Sequence, residues 1–142
     1  MNLIWGIIVL VLSLICWIGQ TIALFWPVAA AKMTVTEHEA DVDPTYFSDV
    51  RSEAFWDAVS TWILPVAAIL LIINNVAWAY FGLIGGGMYL YFAGRGISAR
   101  IAYQRRGIRI GKPSTVKQGY VFLSIWGLIA IGTIVLAILE LS

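Results

Sequence analysis

The chain has 142 residues, of which 61% are apolar and 12% charged, against about 45–50% and about 25% in soluble domains. At a mean hydropathy of +0.87 it has too few polar side chains to cover a water-facing globule, which excludes a soluble fold. A formal charge of +1 names no partner by itself. One cysteine, Cys16, and one histidine, His38, exclude an intrachain disulfide, a CxxC redox pair and two-imidazole haem ligation within one chain.

Three stretches hold no Asp, Glu, Lys, Arg or His: 1–31, 58–94 and 118–139, which are 31, 37 and 22 residues long. A helix rises ~1.5 Å per residue, so about 20 residues cross a ~30 Å hydrocarbon core. The first and third stretches each hold one span. The middle one would reach ~55 Å as a single helix, and it divides at Asn74-Asn75, the strongest turn-forming pair within it. The predicted fold class is therefore an all-α integral membrane protein with four transmembrane helices in a compact bundle. The spans fall near 3–26, 55–73, 76–96 and 120–139, in one transmembrane domain over 1–142. A bacterial inner (plasma) membrane is the expected location. Ala29-Ala30-Ala31 resembles a signal cleavage site, but no Lys or Arg precedes Lys32 and the apolar run exceeds the about 7–15 residues of a signal. Anchoring is expected instead.

Charge sets the orientation. The connection between the first two spans, an acidic loop over 27–54 with Asp57 beyond it, carries seven acids and two bases. The segment 95–117, flanking and filling a basic loop over 97–119, carries seven bases and no acid. Lys and Arg near span ends mark the cytoplasmic side. With four spans both loops are cytoplasmic and both termini lie outside. A three-span alternative also satisfies the charge rule, but it fails on the length of the middle stretch.

Small residues mark helix-packing faces, because helices in lipid associate through close backbone approach. In the third span Ala79, Gly82, Gly86 and Ala93 share one face, which packs within the bundle or meets a partner. Similar stripes run through Gly6, Ser13, Cys16 and Gln20 in the first span and Ser124, Gly127, Ala130 and Ala137 in the fourth. Pro65 is expected to kink the second.

In the acidic connection, Asp43 followed by Pro44 is a helix start. Phe47, Val50, Ala54 and Ala58 then recur at helical spacing, so an interfacial amphipathic helix leads into the second span. Asp49, Glu53 and Asp57 form an acidic stripe on another face. It reads as a solvated face, a partner for the basic loop, or a site of cation binding or acid–base catalysis, with no ordered metal-ligand spacing and no marked buried pair. Asp57 is expected at a span end that water reaches.

Arg95, Arg100, Arg105, Arg106 and Arg109 fix topology, contact anionic lipid headgroups or dock on the acidic loop. The loop is too short to suggest nucleic acid. Gly107 to Ser114 falls short of a phosphate-binding P-loop, with three residues between its glycines where four are needed and no preceding strand. It reads as a helix end and a turn.

Inside the bilayer the polar residues are few, and Gln20 is the one able to bond across helices or line a polar path. Small four-helix multidrug exporters use an acid in the first span, which this chain lacks. His38 reads as solvated and Cys16 as a packing residue. No catalytic, metal or cofactor set can be assembled, so no cofactor is expected. The leading expectation is a structural or accessory membrane protein, homo-oligomeric or part of a larger membrane complex and in contact with membrane lipids. A small-solute or lipid-like transporter or channel, and a membrane enzyme acting on a phosphorylated lipid, are the alternatives.

Overall fold

The computed structural model describes residues 2–142; Met1, the first residue of the opening uncharged stretch, lies outside them. The chain is all-helical, with α1 (Asn2–Phe25), α2 (Pro27–Lys32), a single 3-10 turn (Glu39–Asp41), α3 (Pro44–Ser60), α4 (Ile63–Ile72), α5 (Trp78–Arg105) and α6 (Pro113–Leu141). Three helical runs are long and apolar enough to cross a membrane: α1, the continuous path Pro44–Ile72 through α3 and α4, and α6. They suggest an integral membrane protein. The 28-residue α5 is long enough to span, but its glycines, tyrosines and arginines dilute its apolar character.

Local sequence accounts for most boundaries. Asp43 caps α3, its Oδ1 accepting from the Thr45 amide at 2.8 Å, with Pro44 in the first turn. The reversal between α4 and α5 sits at Asn74, whose φ of 53° is left-handed, and the Asn75 side chain accepts from the Ala77 amide at 2.9 Å. Asn tolerates this conformation better than other residues with a Cβ.

Three boundaries depart from the sequence reading. The expected single helix running into the second span is interrupted at Thr61-Trp62. Pro65 has no N–H to donate to the Thr61 carbonyl four residues earlier, so the ladder breaks there. The basic loop placed at 97–119 is mostly helix: α5 continues to Arg105 and α6 begins at Pro113. Nothing between Gly96 and Arg105 breaks a helix, and arginine propagates one well. Finally, α2 follows directly on α1, started by Pro27 at its first position.

The core lies where α5 packs between α4 and α6 and α1 packs on α3 and α4. Leu64, Tyr89 and Ala130 are fully buried there, with Val9 and Phe92 beside them. Gly85 lets α4 approach closely: a Cβ at that position would lie 2.8 Å from the Leu64 backbone nitrogen. The small-residue face of α5 is turned to α6. Cβ atoms at Gly82 and Gly86 would meet Thr133 at 3.5 Å and Ile134 at 2.7 Å, Ala93 approaches Gly127, and Ala79 is buried in one cluster with Ala137. Ala79, Gly82, Gly86 and Ala93 are thus occupied within the chain. The α6 stripe is only partly so, since Ser124 is exposed.

Candidate functional site

The acidic and basic connections meet and build a polar head on one end of the bundle. Residues 42 and 110 form an isolated antiparallel bridge, and the Asp43 amide donates to the Arg109 carbonyl at 2.7 Å. Below the bridge Val42, Tyr46, Ile110 and Val116 form a small core of their own. Tyr46 meets Tyr103 edge to face at 5.4 Å. Periodicity reveals neither the bridge nor this second core, because both join segments distant in sequence.

Charge pairing follows that contact. The Arg95 guanidinium donates to Asp49 Oδ1 at 2.8 Å and lies 3.1 Å from Glu53 Oε1 in an ion contact without hydrogen-bond geometry, facing two members of the acidic stripe at once. Lys112 reaches Asp41 at 3.2 Å, and the Arg109 side chain donates to the Val42 carbonyl at 3.3 Å. Arg51 donates to the Ala23 carbonyl at 2.8 Å, tying α3 to the end of α1. Arg105 and Arg106 remain exposed. The Tyr103 hydroxyl is held above the usual phenol range, by desolvation first and by the Asp49 carboxylate next.

Asp57 departs from expectation. It is 5% exposed rather than bathed in water, and its Oδ2 is buried without a hydrogen-bond partner. The cause is packing: α3 carries the stripe inward, and the Asp57 position sits one turn past the reach of Arg95. It floors an outer groove of about 420 Å³ between α3 and α5, flanked by Trp56 and Tyr91 and open at Gly87.

A more enclosed cavity, of about 250 Å³, lies where α1 and α6 separate. Its apolar wall includes Cys16, Phe92, Leu123 and Trp126. Its polar end includes Gln20, Glu37, Glu53, Arg100 and Gln118. Its exposed lining residues are Ile15 of α1, Phe122 of α6, and Met33, Thr34 and Val35 after α2. Glu37, in the extended segment after α2, is carried there by the close packing of Gly111, where a Cβ would lie 2.6 Å from the Glu37 side chain. Gly111 has a φ of 127°, open to glycine and unfavourable to other residues. Of the predicted residues, Gln20, Glu53 and Arg100 come together in this cavity. Glu37 carries no signal in the sequence, where it is one loop acid among several. His38 is exposed and Cys16 is buried. Among the described residues no group of three His, Cys, Asp or Glu side chains is arranged to hold a metal ion.

Comparison with protein-family models, curated proteins and solved structures finds no match to the chain.

Proposed function

We propose that this chain is a non-enzymatic four-span membrane protein that acts by association, with a second copy or as an accessory subunit of a larger membrane assembly. One observation carries the association: the outer face of α5 is contoured and uncovered. Tyr80, Ile84 and Tyr91 project from it, each more than half exposed. Between and beside them a Cβ at Gly87 or Gly94 would meet nothing within 4 Å. Spacings of three and four residues put these positions on one helical face, and hollows between aromatic knobs suit a partner helix. This face replaces Ala79, Gly82, Gly86 and Ala93 as the contact surface, since α6 already covers those.

The topology we propose has α5 as a fourth span, both connections in the cytoplasm and both termini outside, in a bacterial inner membrane. Its support is the pairing of Arg95 with Asp49 and Glu53, which needs both connections on one side, together with the excess of Lys and Arg in one of them. Exposed Arg105 and Arg106 then lie where anionic headgroups are within reach.

Association is tested by disulfide crosslinking in native membranes, using Gly87→Cys and Gly94→Cys in a Cys16→Ala background. A crosslinked pair or a discrete heteromer is expected from these positions and not from Leu128→Cys on the outer face of α6. Equal crosslinking from both faces, or none, would remove the proposal. Accessibility labels at His38 and Arg106 test the topology, and should report the same compartment.

A further inference from the structure

We propose that the cavity between α1, α5 and α6 binds the headgroup of a zwitterionic phospholipid with a primary ammonium, its phosphate on Arg100 and its ammonium on Glu37. The inference rests on the membrane embedding argued above, and is independent of association through α5.

Arg100 is the starting point. Its side chain is 14% exposed, and its Nε is buried without a hydrogen-bond partner. A guanidinium N–H removed from water and left without an acceptor is costly. The nearest carboxylate oxygen, Glu37 Oε1, stands 3.8 Å from Nη2, beyond hydrogen-bond length. One further guanidinium nitrogen, Nη1, donates to the Gly96 carbonyl at 3.1 Å. A Cβ at Gly119 would lie 3.3 Å from Nε and 3.7 Å from Nη2, so glycine at that position lets the guanidinium pack close against α6 at the edge of the cavity. The site asks for an acceptor oxygen, and arginine matches phosphate in shape and charge.

A purely anionic head fits poorly. Glu37 and Glu53 line the same cavity, and like charges at this range in a partly buried site repel strongly. Glu53 is paired in charge with Arg95 at 3.1 Å, although neither Glu53 Oε1 nor Arg95 Nη1 makes a hydrogen bond. Glu37, with a side chain 6% exposed, has only the loose Arg100 contact and a Tyr46 hydroxyl at 3.4 Å. A phosphate that occupies Arg100 leaves Glu37 in need of a cation. A primary ammonium on the same head supplies it, with three donors for the carboxylate in a cavity that Thr36 and Gln118 also line.

The rest of the lining identifies the ligand as a lipid. Much of the remaining lining is apolar, and its exposed members are Ile15 and Phe122, on helices whose outer faces are themselves apolar, and Met33, Thr34 and Val35 of the connection after α2. A volume of about 250 Å³ is below the ~300–1,000 Å³ of drug-sized pockets. It suits a headgroup whose acyl chains run out between α1 and α6.

The test is native mass spectrometry of the full chain released from vesicles equimolar in phosphatidylethanolamine, phosphatidylglycerol and phosphatidylcholine. One phosphatidylethanolamine per chain is expected, favoured about tenfold over either competitor, the scale of one hydrogen bond to a charged group. Arg100→Gln should abolish retention, whereas Glu37→Gln should shift preference toward phosphatidylglycerol by relieving the repulsion. Absence of retained lipid from the unaltered protein, or equal retention of phosphatidylglycerol, would overturn the proposal without reference to any variant. Thermal protection by soluble phosphoethanolamine with no lipid retained would overturn the lipid assignment. Release of the chain from vesicles by alkaline carbonate would instead sink the membrane embedding, so the two failures are distinguishable.

Discussion

The indole Nε1 of Trp126 donates to the Leu12 carbonyl at 2.9 Å, joining residues 114 positions apart. This bond ties α6 to α1, which otherwise touch little, and the cavity begins beside it. On the other side of the tether, Trp5 packs so closely on α6 that a Cβ at Gly132 would lie 2.9 Å from its ring. The Trp126 indole thus serves a neighbouring helix's backbone carbonyl rather than solvent.

Trp126→Phe keeps an aromatic ring against Phe92 and Phe122 but loses the donor. We expect it to cost about 1 kcal/mol, the scale of one hydrogen bond between helices in a membrane, read as a shifted midpoint in a denaturing-detergent titration. An unchanged midpoint would show that the bond adds nothing to the α1–α6 contact.

Gly85 and Gly87 separate packing from surface. A Cβ at Gly85 would meet backbone atoms of Leu64 at 2.8 and 2.9 Å, which have no rotamer to yield, while at Gly87 it would meet nothing within 4 Å. Gly85→Ala should destabilise by about 2 kcal/mol through overpacking. Gly87→Ala should be neutral to slightly stabilising, from helix propensity. Paired unfolding titrations check the contrast.

Reversing charges tests whether the two connections support each other. Asp49, Glu53 and Asp57 to Lys should lower stability, and adding Arg95→Glu should restore part of the loss. Arg95 and Asp49 are both partly exposed, so their pair should be worth ~0–1 kcal/mol and weaken with added salt. Most of the loss should come from Asp57, because a buried ammonium there would have no partner. Strict additivity in the cycle would rule out coupling.

Pro65→Ala should supply the amide that Thr61 lacks and make Pro44–Ile72 one continuous helix. Straightening moves Leu64 relative to Gly85, so we expect the gained hydrogen bond to be offset by lost packing, leaving stability within about 1 kcal/mol of the unaltered protein. Altered labelling of a cysteine at Thr61 would report the change of path.

Local features of the fold were legible because their causes are local. The Asp43-Pro44 start, the Asn74-Asn75 reversal and the long apolar runs each follow from the conformational preference or solvation of a few adjacent residues. The turn within 107–114 is legible from its glycines. Span ends near 96 and 120 stop short of the helices, which reach Arg105 and start at Pro113, because a charged stretch looks like a loop even when each arginine favours a helix. Of the candidate sites, the acidic stripe was visible as a period of four, but its pairing with Arg95 was not.

The amino-acid sequence alone determined that the chain needs an apolar surrounding and that opposite charges collect in two connections, since composition and spacing settle both. Only the tertiary structure decided that α6 covers the small-residue face of α5, that Asp57 is buried, and that Glu37 and Arg100 face one cavity. These depend on the rotation and separation of helices distant in the chain. Backbone approach at a few glycines governs that arrangement, and no periodicity within one helix records which neighbour will fill the space.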